Sequence, residues 1–129
     1  MMPLLLLASA SADLDQLGSA VVRCDRIAAT PAFAGEAGRR SDFLRQAFRE
    51  QEAIVGARLA LAQRRRELRE VAATKSGADE AKFALDEAAI EDRQRALNDQ
   101  RMLEGIRQDT MDSLRRHFLL NCPAGSQKN

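Results

Sequence analysis

The sequence predicts an all-α fold: a long antiparallel helical hairpin, similar to a coiled coil, with a shorter N-terminal helix docked at its base. Three observations lead to this prediction. Charged residues make up 30% of the 129-residue chain and hydrophobic residues 45%, yet the net charge is only +1, a balance typical of amphipathic helices and not of disordered chains. Two long stretches lack proline, and apolar residues recur along both at intervals of three, four and seven residues. One short polar segment separates the stretches, so the helices that it joins are expected to be antiparallel neighbours.

The first helix is predicted over about residues 13–29. Its apolar residues are spaced to form one stripe along the helix. Thr30 and Pro31 then resemble the cap and first residue of a short turn, and a connector is expected up to Arg40, with Ser41 as the cap of the next helix. The stripe comprises Leu14, Leu17, Val21, Cys24 and Ala28.

The two long helices are predicted over about residues 42–74 and 79–120. At a rise of 1.5 Å per residue they would be roughly 50 and 60 Å long. Gly77 is expected to end the first of them and Asp79 to cap the second, and a capping box from Ser76 to Asp79 is the alternative. Folding the chain at this turn sets the register of the hairpin. The expected cross-helix pairs are Leu68 with Leu85 and Arg66 with Glu87.

Residues 1–12 resemble the end of a signal peptide. Four leucines precede Ala10-Ser11-Ala12, which matches the small-residue cleavage pattern of exported proteins. No Lys or Arg precedes the leucines, and the segment is shorter than the ~15 residues expected, so we interpret it as a truncated signal peptide. The alternative is the apolar N-terminus of a cytosolic protein. No later apolar run approaches the ~18 residues that span a bilayer, so no stable membrane span is expected.

Two cysteines, Cys24 and Cys122, stand near the two ends of a single predicted helical domain over residues 13–122. An even cysteine count behind a signal-like start favours an oxidising compartment, and therefore a disulfide between the two. The expected location is periplasmic or secreted. The alternative is a cytoplasmic protein in which both residues are buried free thiols. The polar tail over residues 123–129 is expected to be disordered.

The sequence predicts neither an enzyme nor a protein that binds a cofactor or metal. His117 is the only histidine, and no recognised ligand spacing surrounds it. The chain has no nucleophile–base pair, glycine-rich phosphate loop or Cys/His cluster. The basic run from Arg64 to Arg66 is followed by Glu67 and Glu70 and has no aromatic residue for base stacking, so nucleic acid is not an expected partner.

The leading functional prediction is a non-enzymatic exported protein that acts through helix-surface contacts with other proteins, as a chaperone-like holder, an adaptor or a component of envelope assembly. The apolar row on the long helices is narrow, so the hairpin is expected either to self-associate as a homo-oligomer or to leave a groove for a protein partner. One alternative is a small secreted inhibitor or immunity-type protein that binds one enzyme, and another is a cytosolic coiled-coil accessory protein. The predicted contact surface comprises Phe48, Ile54, Val55, Leu61, Leu68, Phe83 and Ile90.

Overall fold

A computed structural model describes residues 4–71 and 77–124, with side chains described over 13–70 and 77–124. The long helices pack against each other, and the shorter first helix contacts both. The predicted all-α hairpin with a docked N-terminal helix is therefore confirmed. The helices of the described residues are α1 (Leu4–Val22), α2 (Arg26–Val71) and α3 (Gly77–Asn121).

The predicted break between residues 30 and 41 is wrong, because α2 runs through this segment from Arg26 onward. Pro31 lies inside the helix, where it removes one main-chain donor while the residues on both sides stay helical. The first helix is also displaced from its predicted position, since α1 begins at Leu4 and ends at Val22. The predicted signal segment and the predicted first helix are thus one continuous helix from Leu4.

The turn between α1 and α2 is built on Cys24 and Asp25. The Asp25 N–H donates to the Ala20 carbonyl at 2.8 Å and the Cys24 N–H donates to the Val21 carbonyl at 3.1 Å, the two bonds of a Schellman motif. Cys24 takes the left-handed position of this motif, with φ 56°, where glycine is the usual residue. Asp25 then caps α2, because its Oδ1 accepts a hydrogen bond from the Ala28 N–H at 3.2 Å. Asp25 therefore closes α1 and opens α2, and three residues suffice to connect the two helices.

The packing divides the chain into two compact units. The three-helix unit comprises the residues up to Ser41 and those from Glu104 onward, and so contains α1, the start of α2 and the end of α3. The two-helix unit comprises Asp42–Leu103. Each unit has its own apolar core, whereas the sequence analysis treated residues 13–122 as one domain.

In the three-helix unit, the end of α3 is held against the α1–α2 turn. The predicted disulfide between Cys24 and Cys122 is present, with a Cα–Cα distance of 5.4 Å. The guanidinium of Arg26 lies 5.2 Å from the centre of the Phe118 ring and donates a hydrogen bond to the Cys122 carbonyl. The Phe33 ring lies 5.7 Å from that of Phe118. The buried apolar residues of this core are Leu17, Val21, Ala29, Met111, Phe118 and Cys122.

The core of the two-helix unit is a single apolar row on each helix. Successive members of a row are seven residues apart, so each helix contributes one buried side chain every two turns. A coiled coil buries two such rows, and this core is therefore thin. The rows are Ala47, Ile54 and Leu61 on α2 and Phe83, Ile90 and Leu97 on α3.

The register of the hairpin differs slightly from the predicted one. Glu87 pairs with Arg65 at 3.0 Å and not with Arg66, and Leu85 is exposed instead of facing α2. Gly77 is the first residue of α3 and does not end α2, so the assumed point of chain reversal is displaced. The predicted end of the first long helix (72–74), the start of the predicted turn (75–76) and the end of the predicted tail lie outside the described residues.

Candidate functional site

A polar row accompanies the thin apolar core of the two-helix unit. The side-chain amides of Gln51 and Gln94 hydrogen-bond to each other twice, at 3.0 and 3.2 Å. Arg58 extends the row by donating to Gln94 at 3.5 Å and to Glu91 at 3.2 Å, and Arg101 donates to Gln51 at 3.4 Å. These positions lie one turn from members of the apolar row, where a coiled coil would carry further apolar residues. The two helices are thus joined by one apolar row and one hydrogen-bonded row.

The basic run from Arg64 to Arg66 forms ion pairs with neighbouring carboxylates. Arg64 pairs with Asp86 at 3.4 Å and Arg65 pairs with Glu87 at 3.0 Å, both across to α3. Arg66 pairs within α2 at 3.4 Å. Because each pair has at least one partner that is more than half exposed, each contributes only ~0 to 1 kcal/mol. The run is a solvated and internally paired face of the hairpin.

The three-helix unit contains a charge cluster centred on Arg107, whose side chain is only 7% exposed. Its Nη1 and Nη2 donate to Glu36 at 3.0 and 2.7 Å, and its Nε and Nη2 donate to Glu104 at 2.9 and 2.7 Å. Arg40 joins the cluster by donating to Glu36 and to Asp112, both at 2.8 Å. Such two-point contacts between guanidinium and carboxylate are strong and directional. The cluster therefore fixes α2 against α3 with paired charges.

The cluster shifts the pKa values of Glu36, Glu104 and Arg107 in directions that keep these groups charged. Burial acts to raise the pKa of Glu36, but the hydrogen bonds from Arg107 and Arg40 outweigh it, and the pKa is lowered. The hydrogen bond from Arg107 lowers the pKa of Glu104 against the opposing effect of burial. The hydrogen bond to Glu104 likewise raises the pKa of Arg107. None of these groups is poised to exchange a proton near neutral pH, so the cluster has the properties of a structural tie.

An open cleft of about 390 Å³ lies beside this cluster in the three-helix unit. Ala28, Ala32 and Gly35 of α2 line it, and their small size leaves the space between α1 and α2. Its two lining residues with buried charges, Glu36 and Arg107, are bonded to each other. Because Glu36 and Arg107 already bind each other, neither offers a free charged group that would orient a small ligand in the cleft.

The structure places the seven residues of the predicted contact surface in two different environments. Phe48 and Val55 are exposed, at 64% and 44%. Four of the other five are buried between α2 and α3, and Leu68 is partly buried against the same core, so most of the predicted surface is used within the chain. The buried members are Ile54, Leu61, Phe83 and Ile90, with Leu68 partly buried against them.

Phe48 and Val55 belong to an exposed apolar stripe on α2 that the sequence analysis did not identify. Leu44 and Leu59, each 67% exposed, complete it. Spacings of four, seven and four residues bring all four side chains onto one face of the helix. At about 100° per residue, this face lies roughly 110° round the helix from the buried row that starts at Ala47. We call Leu44, Phe48, Val55 and Leu59 the α2 stripe.

Further exposed apolar residues lie close in sequence to the disulfide. Val22 and Ile27 flank the α1–α2 turn, and Leu119 and Leu120 precede Cys122. Adjacent residues of a helix point in different directions, so Leu119 and Leu120 do not belong to one helix face. This group therefore lacks the alignment of the α2 stripe.

His117 is exposed, and its Nδ1 lies 3.3 Å from Nδ2 of Asn121. Over residues 4–71 and 77–124, no three His, Cys, Asp or Glu side chains are grouped so as to hold a metal ion. Within the same ranges, no helix combines the length and the hydrophobicity needed to cross a membrane. Comparisons with protein-family models, curated proteins and solved structures find no match to this chain. We therefore infer its function from the geometry of its own surfaces.

Proposed function

We propose that this protein is non-enzymatic and acts by binding another protein chain through the α2 stripe. The observation that carries the proposal is the stripe itself, in which four large apolar side chains, 44–67% exposed, share one helix face. Single exposed apolar residues are ordinary on protein surfaces, whereas aligned ones mark an interaction site. Apolar residues at such helical spacings are the anchors by which helices dock into grooves and against other helices.

The disulfide between Cys24 and Cys122 supports a location in an oxidising compartment, periplasmic or extracellular.

The chemistry of the stripe favours a defined partner over many clients. Promiscuous binding surfaces are rich in methionine or in mobile loops, whereas Leu, Phe and Val on one continuous helix present a fixed shape. Of the roles expected from the sequence, an adaptor or assembly component therefore fits this stripe better than a general chaperone-like holder.

The proposal is tested by photo-crosslinking in cells from single positions of the full-length chain. A benzophenone amino acid replaces Phe48 in one variant. In the matched control it replaces Leu85, which is 72% exposed, belongs to the same unit and lies on α3, away from the stripe. We expect a discrete adduct heavier than the monomer from position 48 and little from position 85, with the attached chain identified by mass spectrometry. Absence of an adduct at position 48, or equal adducts at both positions, would contradict the proposal.

A further inference from the structure

We infer that the occupant of the α2 stripe is a second copy of this chain, packed antiparallel about a two-fold axis near residues 51 and 52. This inference rests on the proposed function, because it names the partner of the same stripe. The spacing of the stripe reads the same in both directions, since the gaps are four, seven and four residues. A two-fold axis at its centre therefore places Leu44 against Leu59 and Phe48 against Val55 of the second copy. The stripe is complementary to its own reverse, which is the property that a two-fold interface requires.

The charges beside the stripe are complementary under the same axis. Arg49 and Glu52 both lie on the flank of the stripe that faces away from the buried row of α2. Both are exposed, and neither forms an ion pair within the described residues. The two-fold axis sets each flank against the same flank of the second copy. Arg49 of one copy is then offset from Glu52 of the other by about two residues, or ~3 Å along the helix. The two Glu52 side chains meet near the two-fold axis, about 50° round the helix from the centre of the stripe, and each is flanked by Arg49 of the other copy, about 110° round. Each copy thus offers a cation to the acidic pair at the axis.

The exposed area is of the size that a weak dimer needs. The stripe leaves roughly 400 Å² of apolar surface exposed, within the range of patches that mark interaction sites on monomers. Complete burial of both stripes would remove roughly 800 Å² from solvent, which is below the ~1,200 Å² of stable interfaces and in the range of weak, transient ones. We therefore expect a dissociation constant in the micromolar range, about 1 to 100 μM.

The thin core of the two-helix unit gives a reason for this association. Within one chain, α2 contributes one buried apolar row, and its neighbouring seam positions carry Gln51 and Arg58. Pairing of two stripes adds a second buried row to each α2 and joins two hairpins into a four-helix assembly. The added row lies on a face that α3 leaves uncovered, so the hairpin and the dimer do not compete for the same side chains.

The first experiment measures the mass of the oxidised full-length protein by sedimentation equilibrium from about 1 to 200 μM, a range that brackets the expected dissociation constant. We expect a monomer–dimer equilibrium. Phe48→Glu with Leu59→Glu should weaken the dimer by a factor on the order of 100 or more, because charges would be buried against apolar side chains. The control, Leu85→Glu, should leave the equilibrium unchanged, and circular dichroism should show that both variants stay helical. A monomer throughout the range, or a dimer that Phe48→Glu with Leu59→Glu does not affect, would overturn the inference.

A charge exchange separates a second copy from any other partner. Arg49→Glu alone places acidic groups together at the axis and should weaken the dimer about 10-fold. Adding Glu52→Arg to the same chain recreates opposite charges across the axis and should restore the native dissociation constant. A different partner protein would not carry the exchanged charges, so its binding would not be restored. Failure of the double variant to recover dimerisation would overturn the antiparallel arrangement.

The orientation is tested with single cysteines in full-length chains that keep the native disulfide. Glu52→Cys lies near the axis and should crosslink to itself under mild oxidation, whereas Arg45→Cys should not, because an antiparallel dimer holds its two copies ~20 Å apart along the helix axis. Crosslinking of both variants would indicate a parallel pair and contradict the inference. A monomeric protein whose position 48 still photo-crosslinks to a different chain would refute the second copy while leaving the proposed function intact.

Discussion

Replacement of Arg107 by methionine would leave two carboxylates facing each other in the three-helix unit without their shared cation. The side chains of Glu36 and Glu104 are only 12% and 13% exposed. Removing one partner of a buried ion pair costs about 3–5 kcal/mol, and both carboxylates keep some contact with water. We therefore expect the lower end for Arg107→Met, a loss of about 3 kcal/mol in the free energy of unfolding at pH 7. The control is Arg95→Met, whose ion pair with Asp92 is largely exposed, and it should cost less than about 0.5 kcal/mol.

The same variant should change the dependence of stability on pH. In the native protein the pKa values of Glu36 and Glu104 are lowered, so their ionised forms stabilise the fold above the unfolded pKa, about 4.3. That contribution is lost as the pH falls through the folded values. Without Arg107, burial and repulsion from Glu36 should raise the folded pKa of Glu104, so protonation of this carboxyl group favours the folded variant, whereas Glu36 keeps its hydrogen bond from Arg40. The difference in stability between native protein and variant should therefore shrink between pH 7 and pH 4.

Urea unfolding followed by far-ultraviolet circular dichroism at the two pH values checks both effects. With a slope of about 1.5 kcal/mol per molar urea, 3 kcal/mol corresponds to a midpoint shift of about 2 M. Amide hydrogen exchange should locate the loss in the three-helix unit. Adding Glu36→Gln and Glu104→Gln to Arg107→Met should recover most of the stability at pH 7, because no buried charge is then unpaired. An Arg107→Met midpoint equal to the native one, or a difference that does not shrink in acid, would refute this account of the cluster.

Three further predictions concern the turn and the polar row. Reduction of the Cys24–Cys122 disulfide, with a sequence separation of 98, should lower the free energy of unfolding by about 4 kcal/mol, and a urea midpoint unaffected by reductant would argue against it. With Cys122→Ser in both chains, Cys24→Gly should be about 1 kcal/mol more stable than Cys24→Ser and so unfold at a higher urea concentration, because glycine adopts positive φ without strain. Equal midpoints would count against strain at this position. Gln51→Leu alone should lower the melting temperature by removing both hydrogen bonds of the reciprocal amide pair, at a cost of about 1 kcal/mol because Gln94 keeps its bonds with Arg58 and Asn98. Gln51→Leu with Gln94→Leu should recover the melting temperature, and two additive losses would contradict the reciprocal pair.

The long helices and the disulfide could be predicted because their signals are local or compositional. Seven-residue spacing and the lack of proline identify α2 and α3, and two cysteines allow one intramolecular pairing. The start of α2 could not be found in this way. Thr30 and Pro31 form a typical helix start, yet Asp25 caps the helix earlier. The Schellman turn at Cys24 places the Asp25 carboxylate over the first turn of α2. Two adequate caps compete in the sequence, and tertiary contacts select one.

The face of α2 that meets α3 is also ambiguous in the sequence. The helix carries one apolar row through Ile54 and another through Phe48 and Val55, and periodicity does not say which of the two is buried. The predicted contact surface combined members of both rows, since the packing of α3 decides between them. The α2 stripe can be identified only once the structure shows which row of α2 is buried against α3.

The Arg107 cluster can be recognised in the sequence by an acidic residue at a core position. The apolar row of α3 continues at seven-residue intervals from Leu97 to Glu104, an acidic residue where an apolar one is expected. A charged residue at a core position indicates a buried pair, because an isolated buried charge is too costly. Its partner Arg107 lies one turn away on the same helix, but the second carboxylate, Glu36, comes from α2 and depends on the tertiary fold.

The disulfide fastens the α1–α2 turn to the residue that follows α3, so the chain between Cys24 and Cys122 is a covalently closed ring. A protease that cuts this ring once opens it without releasing a fragment, because the two pieces stay joined through the bridge. Their helices remain at high effective concentration and can re-form the same contacts. A single cut between Cys24 and Cys122 would thus yield a two-chain molecule with the native mass plus one water, whose two pieces separate only after reduction and unfolding.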